Sequence, residues 1–353
     1  MQKETRRAKA IGMLSGGLDS TLAHALMKQM GVEVKAVTFY TGFCLVETQR
    51  RMGRKRRDGA APRNDALHAA AALETEIDFV DISGREYLDV ITHPKHGYGA
   101  NANPCIDCRI FMLRKAREIM QSEGADFVFT GEVLGQRPKS QRRDPMKVIE
   151  KASGLVGRLL RPLSAQLLEP TIPENEGLVD RSQLLSFSGR SRKSQMELAE
   201  KLGVTDWPQP AGGCCFLTDE AFGRKFHDLV DRRPDRRLDE DEIPLLATGR
   251  HLRLSQQVKL IVGRNEAENS LLSQYAQDKY YKLEAAGLMG TVALVEGEAS
   301  EAERVLASRI VARYGKGKEL AKVVVEWRLG PELKRQVEVE PVRDEAEIER
   351  YRI

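Results

Sequence analysis

The chain has 353 residues, of which 41% are hydrophobic and 31% are charged, and its formal net charge is +4. This composition excludes bulk disorder and allows two or three globular domains. No apolar stretch approaches the roughly 20 residues of a membrane span, and the N-terminal MQKETRRAKA has no apolar signal core, so we expect a cytoplasmic protein.

The segment AIGMLSGGLDSTLAHAL, residues 10–26, predicts a strand, a tight glycine loop and a helix in that order. Apolar residues precede the loop, and an apolar helical pattern follows it and is expected to end at Gly31. A helix start offers unpaired backbone N–H groups, and glycine lets an anion approach the backbone closely. The segment therefore predicts a phosphate site.

The loop also carries the polar side chains that phosphate and a cation need. Its hydroxyls can donate to phosphate, whereas the Asp19 carboxylate only accepts and would repel phosphate without a cation between them. We therefore interpret Asp19 as a ligand of Mg²⁺. The predicted phosphate and magnesium site comprises Ser15, Gly16, Gly17, Asp19, Ser20 and Thr21.

Strand and helix patterns alternate along the next hundred residues. VEVKAVTFYTG and IDFVDIS predict strands, and RNDALHAAAALETE between them predicts a helix capped by Asn64 or Asp65. A helix over about 106–122 precedes ADFVFTGEVLGQ, where another strand ends at Thr130 and Gly131. This alternation predicts an α/β fold, a parallel sheet with helices on both faces, and we expect Gly131 to lie against the nucleotide.

The second half of the chain has a different character. LVDRSQLLSFSGRSRKSQMELAEKLGV predicts a helical, basic segment, and the patterns after the charged run DRRPDRRLDEDE predict a small α+β domain. We expect a nucleotide-binding domain over 1–175, a basic segment that carries a third cysteine over 176–236, and the α+β domain over 237–353.

Two basic runs point to a polyanionic partner. Arg50–Arg57 holds six cations in eight residues, and Arg137–Arg143 holds four in seven. Short runs of this kind are usually solvated loops, but two of them around a nucleotide site favour RNA, bound through its backbone.

The cysteines form the second chemical pattern. In NPCIDC, Cys105 and Cys108 stand at a helix start, where the dipole and unpaired N–H groups favour thiolate. GGCCFL supplies a third sulfur from Cys214 or Cys215, and we choose Cys214 because it directly follows the glycines. Cys44 is expected to be an ordinary buried residue.

These thiols allow three interpretations. They are inert buried residues, or zinc ligands in a site that His93 and His96 of HPKH complete, or ligands of an iron–sulfur cluster. We prefer a cluster that three cysteines hold and that leaves one iron open.

The motifs resemble those of known enzymes. SGGLDS resembles the pyrophosphate-binding loop of the PP-loop ATP pyrophosphatases, and NPCIDC resembles a segment of persulfide-type tRNA 2-thiouridylases with Cys105 in the place of an acidic residue. The C-x-x-C pair with a distant third cysteine is similar to the iron–sulfur tRNA thiolation enzymes. KLIVGRNEAEN near the C-terminus resembles the RNA-binding domain of NFACT proteins.

The resemblance implies an ATP- and Mg²⁺-dependent tRNA sulfurtransferase. Such an enzyme adenylates a carbonyl oxygen of a pyrimidine, here expected to be uridine, and replaces it with sulfur from sulfide or a persulfide carrier protein. The implied [4Fe-4S] cluster is held by Cys105, Cys108 and Cys214, with Cys215 as the competing third ligand.

Other functions stay open at this point. The same reaction can proceed through a cysteine persulfide without a cluster. A PP-loop enzyme can also amidate its substrate, although the chain has no glutaminase-like region, or transfer sulfur to a small molecule. An RNA-binding protein with a structural zinc is the remaining alternative, and it leaves the SGGLDS loop unexplained.

Overall fold

A computed structural model describes residues 6–44, 63–208, 215–276 and 279–353. The described residues form two compact units. The first unit contains the residues up to 219 together with 235–240, and the second contains 220–234 and 241–353. The domain boundaries at 175 and 236 stay predictions.

The first unit is built on a parallel sheet of five strands. These are β1 (Lys9–Met13), β2 (Glu33–Tyr40), β3 (Ile77–Asp81), β4 (Phe127–Thr130) and β5 (Leu159–Leu160). Their order is β3-β2-β1-β4-β5, so the strand order reverses between β1 and β4. Open α/β sheets bind ligands at the carboxyl ends of the strands beside such a reversal, which here is where the SGGLDS loop begins.

Helices cover both faces of this sheet, as the sequence predicts. They are α1 (Leu18–Gln29), α2 (Asp65–Ala72), α3 (Arg85–Thr92), α4 (Cys105–Ser122), α5 (Arg143–Ser153), α6 (Ile172–Asn175) and α7 (Lys193–Lys201). Neighbouring residues of one strand point to opposite faces. Ala10 and Phe129 therefore pack in the core beside α1, whereas Ile11 and Val128 pack in the core beside α4 and α5.

Local signals in the sequence locate the helix ends correctly. The helix α1 ends just before Gly31, which takes a φ of 78°. The Asn64 side chain caps α2 by accepting a hydrogen bond from the Leu67 N–H at 3.1 Å. The helix α4 begins one residue before the predicted start.

The helix expected between residues 178 and 204 forms only in its last part, as α7. Before it, the backbone N–H groups of Leu185 and Phe187 donate to the carbonyl groups of Pro162 and Leu163, at 2.9 and 2.7 Å. These hydrogen bonds hold the segment extended beside the chain that follows β5, so tertiary pairing overrides its helical pattern.

The second unit contains an antiparallel sheet of six strands. These are β6 (Arg250–Arg253), β7 (Lys259–Val262), β8 (Tyr281–Ala285), β9 (Ala293–Glu296), β10 (Val323–Leu329) and β11 (Glu332–Val339). Their order is β11-β10-β8-β9-β7-β6. Together with its helices, this sheet confirms the predicted α+β character of the C-terminal part.

The helices of the second unit are α8 (Glu220–Val230), α9 (Glu242–Ala247), α10 (Glu266–Tyr275), α11 (Glu301–Tyr314) and α12 (Ala346–Glu349). The helix α11 packs on the sheet through Ile310 and Val311, and the Trp327 indole N–H donates to the Ser308 hydroxyl at 3.0 Å. Among the described residues, no helix is both long and apolar enough to cross a membrane.

A buried histidine beside the glycine loop makes stability depend on pH. His24 in α1 is fully buried against Phe129 and donates to the Ser20 carbonyl at 2.7 Å, and burial lowers its pKa from 6.5 to about 4. The unfolded chain takes up this proton below pH 6.5, whereas the folded chain does not until about pH 4. The free energy of unfolding should therefore fall as pH drops through this range.

Urea titrations of the wild-type protein and of His24→Gln between pH 7 and pH 4 measure this effect. The variant should be less stable at pH 7 but should lose less stability as the pH falls. Equal pH dependence of the two proteins would show that His24 does not titrate as its burial requires.

Candidate active site

The SGGLDS loop connects β1 to α1 and is held by its own hydroxyl groups. The Ser20 hydroxyl donates to the Gly17 carbonyl at 2.9 Å and lies 3.1 Å from the Ser15 hydroxyl, and the Thr21 hydroxyl also donates to Gly17 at 3.1 Å. Gly17 is the N-cap of α1 and receives no side-chain cap. The helix start therefore presents its N–H groups and positive dipole at the end of β1, where an anion is favoured.

Two glycines are required here because other backbone approaches them closely. A Cβ on Gly16, whose φ is 77°, would lie 2.2 Å from the carbonyl carbon of Asp65 at the start of α2. A Cβ on Gly131, just after β4, would lie 2.4 Å from the Ser20 nitrogen. Gly131 thus packs directly on the loop.

Asp19 has one satisfied and one unsatisfied carboxylate oxygen. Its Oδ2 accepts a hydrogen bond from the Gln136 side chain at 3.0 Å, whereas its buried Oδ1 has no hydrogen-bond partner among the described residues. A buried carboxylate oxygen without a partner is costly unless a cation neutralises it. The oxygen donor and its position at a phosphate-type loop fit Mg²⁺.

A buried ion cluster connects Glu132, the residue after Gly131, to α4, the helix that carries Cys105 and Cys108. The Glu132 carboxylate lies 3.1 Å from Arg161 Nε and 3.2 Å from Arg109 Nε of α4, and Arg161 also pairs with Glu150. Burial raises the pKa of Glu132, but Arg109 and Arg161 more than offset this and hold the pKa below its usual value. Glu132 is therefore ionised, and its charge fixes α4 relative to the end of β4.

Cys105 and Cys108 both lie in the first turn of α4, as predicted. The Cys105 thiol donates to the Asn103 side chain at 2.7 Å, and the Cys108 sulfur lies 3.1 Å from the Tyr87 hydroxyl. Both residues are partly exposed. The thiols therefore stand at a helix N-terminus, where thiolate is favoured and a reagent or metal can reach them.

The chain around Cys215 is hydrogen-bonded to the segment after β2 and to the segment before α4. The N–H of Phe216 donates to the carbonyl of Phe43 at 3.0 Å, and the Asn101 side chain donates to the carbonyl of Thr218 at 2.9 Å. Cys44 follows Phe43 in the chain and Cys215 precedes Phe216, so each cysteine is next to one partner of this hydrogen bond. Both cysteines are partly exposed. The prediction that Cys44 is buried is wrong.

The preferred third cysteine, Cys214, lies outside the described residues, as does the basic run Arg50–Arg57. Within the described ranges, no three histidine, cysteine, aspartate or glutamate side chains are arranged to hold a metal ion. Cys215 therefore does not complete a metal site with the C-x-x-C pair in this structure, and the third ligand stays a prediction.

The zinc alternative with His93 and His96 is wrong for the same reason, since all four of its residues are described. The His96 ring bonds to the Asp107 carboxylate at 2.8 Å, and the His93 ring lies 3.0 Å from the Thr92 hydroxyl. Both histidines thus have other partners.

The second basic run, Arg137–Arg143, divides into two parts. Arg137, Arg142 and Arg143 are exposed, whereas Lys139 turns inward and donates to the Gly97 carbonyl at 2.7 Å. Burial lowers the pKa of Lys139, and the nearby Cys105 and Asp107 partly oppose this shift. Lys139 Nζ also lies 3.5 Å from the carbonyl of Asn103, two residues before Cys105, so a cationic side chain stands near the C-x-x-C pair.

The sequence reasoning missed several of these side chains. Gln136 and Lys139 both follow the strand end in TGEVLGQRPK, which is a signal that a search for polar residues after parallel strands would find. Asn103 stands in the NPCIDC motif itself, whereas Tyr87 and Arg109 carry no such signal, because their roles depend on tertiary contacts.

The sheet order and the glycine-serine loop at the switch point define an α/β nucleotide-binding domain of the PP-loop type. Residues 6–167 match the family model described as thiamine biosynthesis protein (ThiI), and residues 249–352 match the NFACT protein RNA binding domain. Residues 6–167 and residues 249–352 are therefore similar to these two families, and both resemblances predicted from the sequence are confirmed.

The chain is similar to two kinds of tRNA-modifying protein. It is 29% identical over 44% of its length to a probable tRNA sulfurtransferase of Thermococcus kodakarensis, and covers 37% of that protein. It is 32% identical over 36% of its length to the tRNA-specific 2-thiouridylase MnmA of Petrotoga mobilis, and covers 35% of it. The chain thus spans about a third of the length of these relatives.

A solved structure titled as a 4-thiouridine synthetase–RNA complex with bound ATP is 21% identical to this chain. The alignment covers 56% of this chain and 52% of the other, with a TM-score of 0.33.

The substitution Gly131→Ala tests the close packing on the loop. The new methyl group would overlap the Asp19–Ser20 backbone and displace the loop, so the free energy of unfolding should fall by about 1–3 kcal/mol in urea titrations. Gly84→Ala is the matched control, because its Cβ would meet nothing closer than a Glu240 oxygen at 3.8 Å. Wild-type stability of Gly131→Ala would contradict the packing argument.

Proposed function

We propose that this protein is an ATP-dependent tRNA sulfurtransferase that replaces a carbonyl oxygen of a pyrimidine, expected to be uridine, with sulfur. The observation that carries the proposal is the buried, unpartnered Oδ1 of Asp19 at the start of α1, within a ThiI-family domain. The Asp19 carboxylate needs a cation, and the helix start beside it favours an anion. Magnesium-bound ATP supplies both.

The loop residues divide the binding of ATP between them. The backbone N–H groups at Gly16 and Gly17 and the side-chain hydroxyls face the β and γ phosphates, and Asp19 binds the Mg²⁺ that neutralises them. Gly131 contributes a backbone N–H to the nucleotide. The complete binding set is Ser15, Gly16, Gly17, Asp19, Ser20, Thr21 and Gly131.

The reaction has two steps. The base carbonyl oxygen attacks the α phosphorus of ATP, a new P–O bond forms, and the bond to pyrophosphate breaks. A sulfur nucleophile then attacks the activated ring carbon, and AMP leaves with the original oxygen. Positioning and charge stabilisation account for most of the rate, because the protein supplies no bond to phosphorus.

The sulfur step is assigned to the cysteines. We place a [4Fe-4S] cluster on Cys105, Cys108 and Cys214. Two thiols at one helix N-terminus suit a soft metal centre, and the cluster would supply an open iron for sulfide. A persulfide on Cys108 without a cluster is the alternative route, and Lys139 supports thiolate chemistry in either case.

The RNA partner is supported by charge and by the second unit. Arg137 and Arg142 are exposed in the loop that also carries Gln136, Arg143 is exposed at the start of α5, and residues 249–352 match an RNA-binding family. We therefore assign tRNA as the substrate and sulfide or a persulfide carrier protein as the sulfur donor, and we propose that the protein acts in the cytoplasm.

Removing the Asp19 charge tests the nucleotide assignment. Asp19→Asn keeps the size of the side chain and a hydrogen-bonding oxygen but loses the charge that a cation requires. Both Asp19→Asn and Asp19→Ala should lower tRNA-dependent pyrophosphate release at least about 100-fold while tRNA binding is retained.

Asp89→Ala is the control for this pair, because Asp89 is exposed on α3 and, in the part of the chain that the structure describes, forms an ion pair only with Arg85, at 2.5 Å. The control should release pyrophosphate at the wild-type rate. Full activity of Asp19→Asn would remove the magnesium role from Asp19.

Substitution of Cys105 tests the sulfur step by a readout that does not require activity. Protein purified without oxygen should contain about four irons and matching acid-labile sulfide per chain, and Cys105→Ala should lose both while keeping pyrophosphate release. Cys44→Ala should keep the iron, since Cys44 is not among the proposed ligands. Iron-free wild-type protein that still thiolates tRNA would replace the cluster with the persulfide route.

A further inference from the structure

Most cationic side chains of the second unit are paired with a carboxylate. Arg233 and Lys279 both pair with Glu242, at 2.7 and 2.9 Å, and Lys322 pairs with Glu338 at 2.8 Å. Four cations that lie close to one another differ from this pattern: Arg250, Lys316, Lys318 and Arg343 have no carboxylate within 4 Å in the described part of the chain.

These four side chains surround the C-terminal end of α11. The Arg250 guanidinium stacks on the ring of Tyr314, the last residue of α11, at 4.6 Å. Lys316 and Lys318 are exposed in the glycine-rich loop that follows. Arg343 donates to the carbonyl groups of Lys318 and Leu320, at 2.6 and 2.8 Å, and thereby fixes that loop.

A second loop lies against the first. The Thr291 hydroxyl donates to the Tyr314 carbonyl at 2.8 Å, and a Cβ on Gly290 would lie only 3.3 Å from the Cα of Gly315. This contact places Met289, whose exposed fraction is 75%, beside the loop that carries Lys316 and Lys318. An exposed apolar side chain therefore adjoins the unpaired cations.

The acidic groups in this region do not neutralise the four cations. Tyr314 donates to Glu345 at 2.7 Å, and Arg313 and Arg352 also bind Glu345. Glu319 is exposed between Lys318 and Leu320 and forms no ion pair among the described residues. The helix dipole at the end of α11 favours nearby cations, but it does not explain exposed lysines two and four residues beyond the helix.

We propose that Arg250, Met289, Lys316, Lys318 and Arg343, here called the basic loop surface, bind the phosphate backbone of the RNA substrate. Unpaired cations on fixed loops suit successive phosphates, and Met289 and the Arg250 plane offer apolar or planar faces for an unstacked base. This assignment rests on the proposed function, because it names the part of the second unit that holds the same tRNA.

Binding of an unmodified tRNA transcript to the full chain, followed by fluorescence anisotropy over a range of KCl concentrations, tests the proposal. The double variant Lys316→Ala/Lys318→Ala should bind about tenfold more weakly at low salt, and its plot of log affinity against log salt should be shallower by about two. The matched control is Lys322→Ala/Lys334→Ala, which removes two exposed lysines that each pair with a glutamate and should bind like the wild type.

The outcomes separate this surface from the proposed function. If the wild-type chain binds tRNA and the Lys316/Lys318 variant binds it with the same affinity and salt dependence, the basic loop surface is wrong and the proposed function stands. If the wild-type chain does not bind tRNA at all, both fail. Loss of binding to anionic phospholipid vesicles with unchanged tRNA binding would also overturn the assignment, since the surface would then serve a membrane.

Discussion

The buried charge of Glu132 is the interaction on which the candidate active site depends. Its carboxylate is shared between Arg109 of α4 and Arg161 beyond β5, so one ionised group joins the cysteine helix to the central part of the sheet. Removal of one partner from a buried ion pair leaves an uncompensated charge and costs about 3–5 kcal/mol. Such an arrangement resists small displacements of α4 relative to the sheet. The position of the Cys105 and Cys108 thiols is therefore coupled to the strands beside the SGGLDS loop.

Gly131 extends this coupling by one residue. It precedes Glu132 in the chain and packs against the backbone of Asp19 and Ser20, so the ion cluster also limits where the SGGLDS loop can lie. Gln136 adds a third connection through the Asp19 carboxylate. The proposed reaction, in which adenylation is followed by attack of sulfur, requires that both centres keep a fixed separation, and a rigid connection through residues 131–136 meets this requirement.

The sequence predicted what local chemistry determines. Strand, glycine loop and helix follow one another within twenty residues, and the ends at Gly31 and Asn64 are set by side chains or glycines at those positions. The parallel sheet followed from the alternation of such segments. The basic segment before α7 was predicted as helix because its pattern is helical, but its backbone hydrogen bonds go to Pro162 and Leu163, which no local pattern indicates.

The candidate site was predictable to a similar degree. The loop residues and the C-x-x-C pair were found because their spacing alone carries the chemistry. Arg109, Arg161 and Tyr87 were missed because each acts through a partner more than twenty residues away, and neither residue of such a pair is unusual by itself. Contacts of this kind become visible only when the sheet brings the ends of separate strands together.

The Cys105 thiol stands at a helix N-terminus, a position that favours its thiolate form. The sulfur lies at the start of α4, where the dipole is positive, and Lys139 approaches it from the loop that follows β4. Burial lowers the pKa of Lys139, whereas the charges of Cys105 and Asp107 oppose this shift. Lys139 belongs to the loop that also carries Gln136, so one loop both contacts the Asp19 carboxylate and brings a lysine near Cys105.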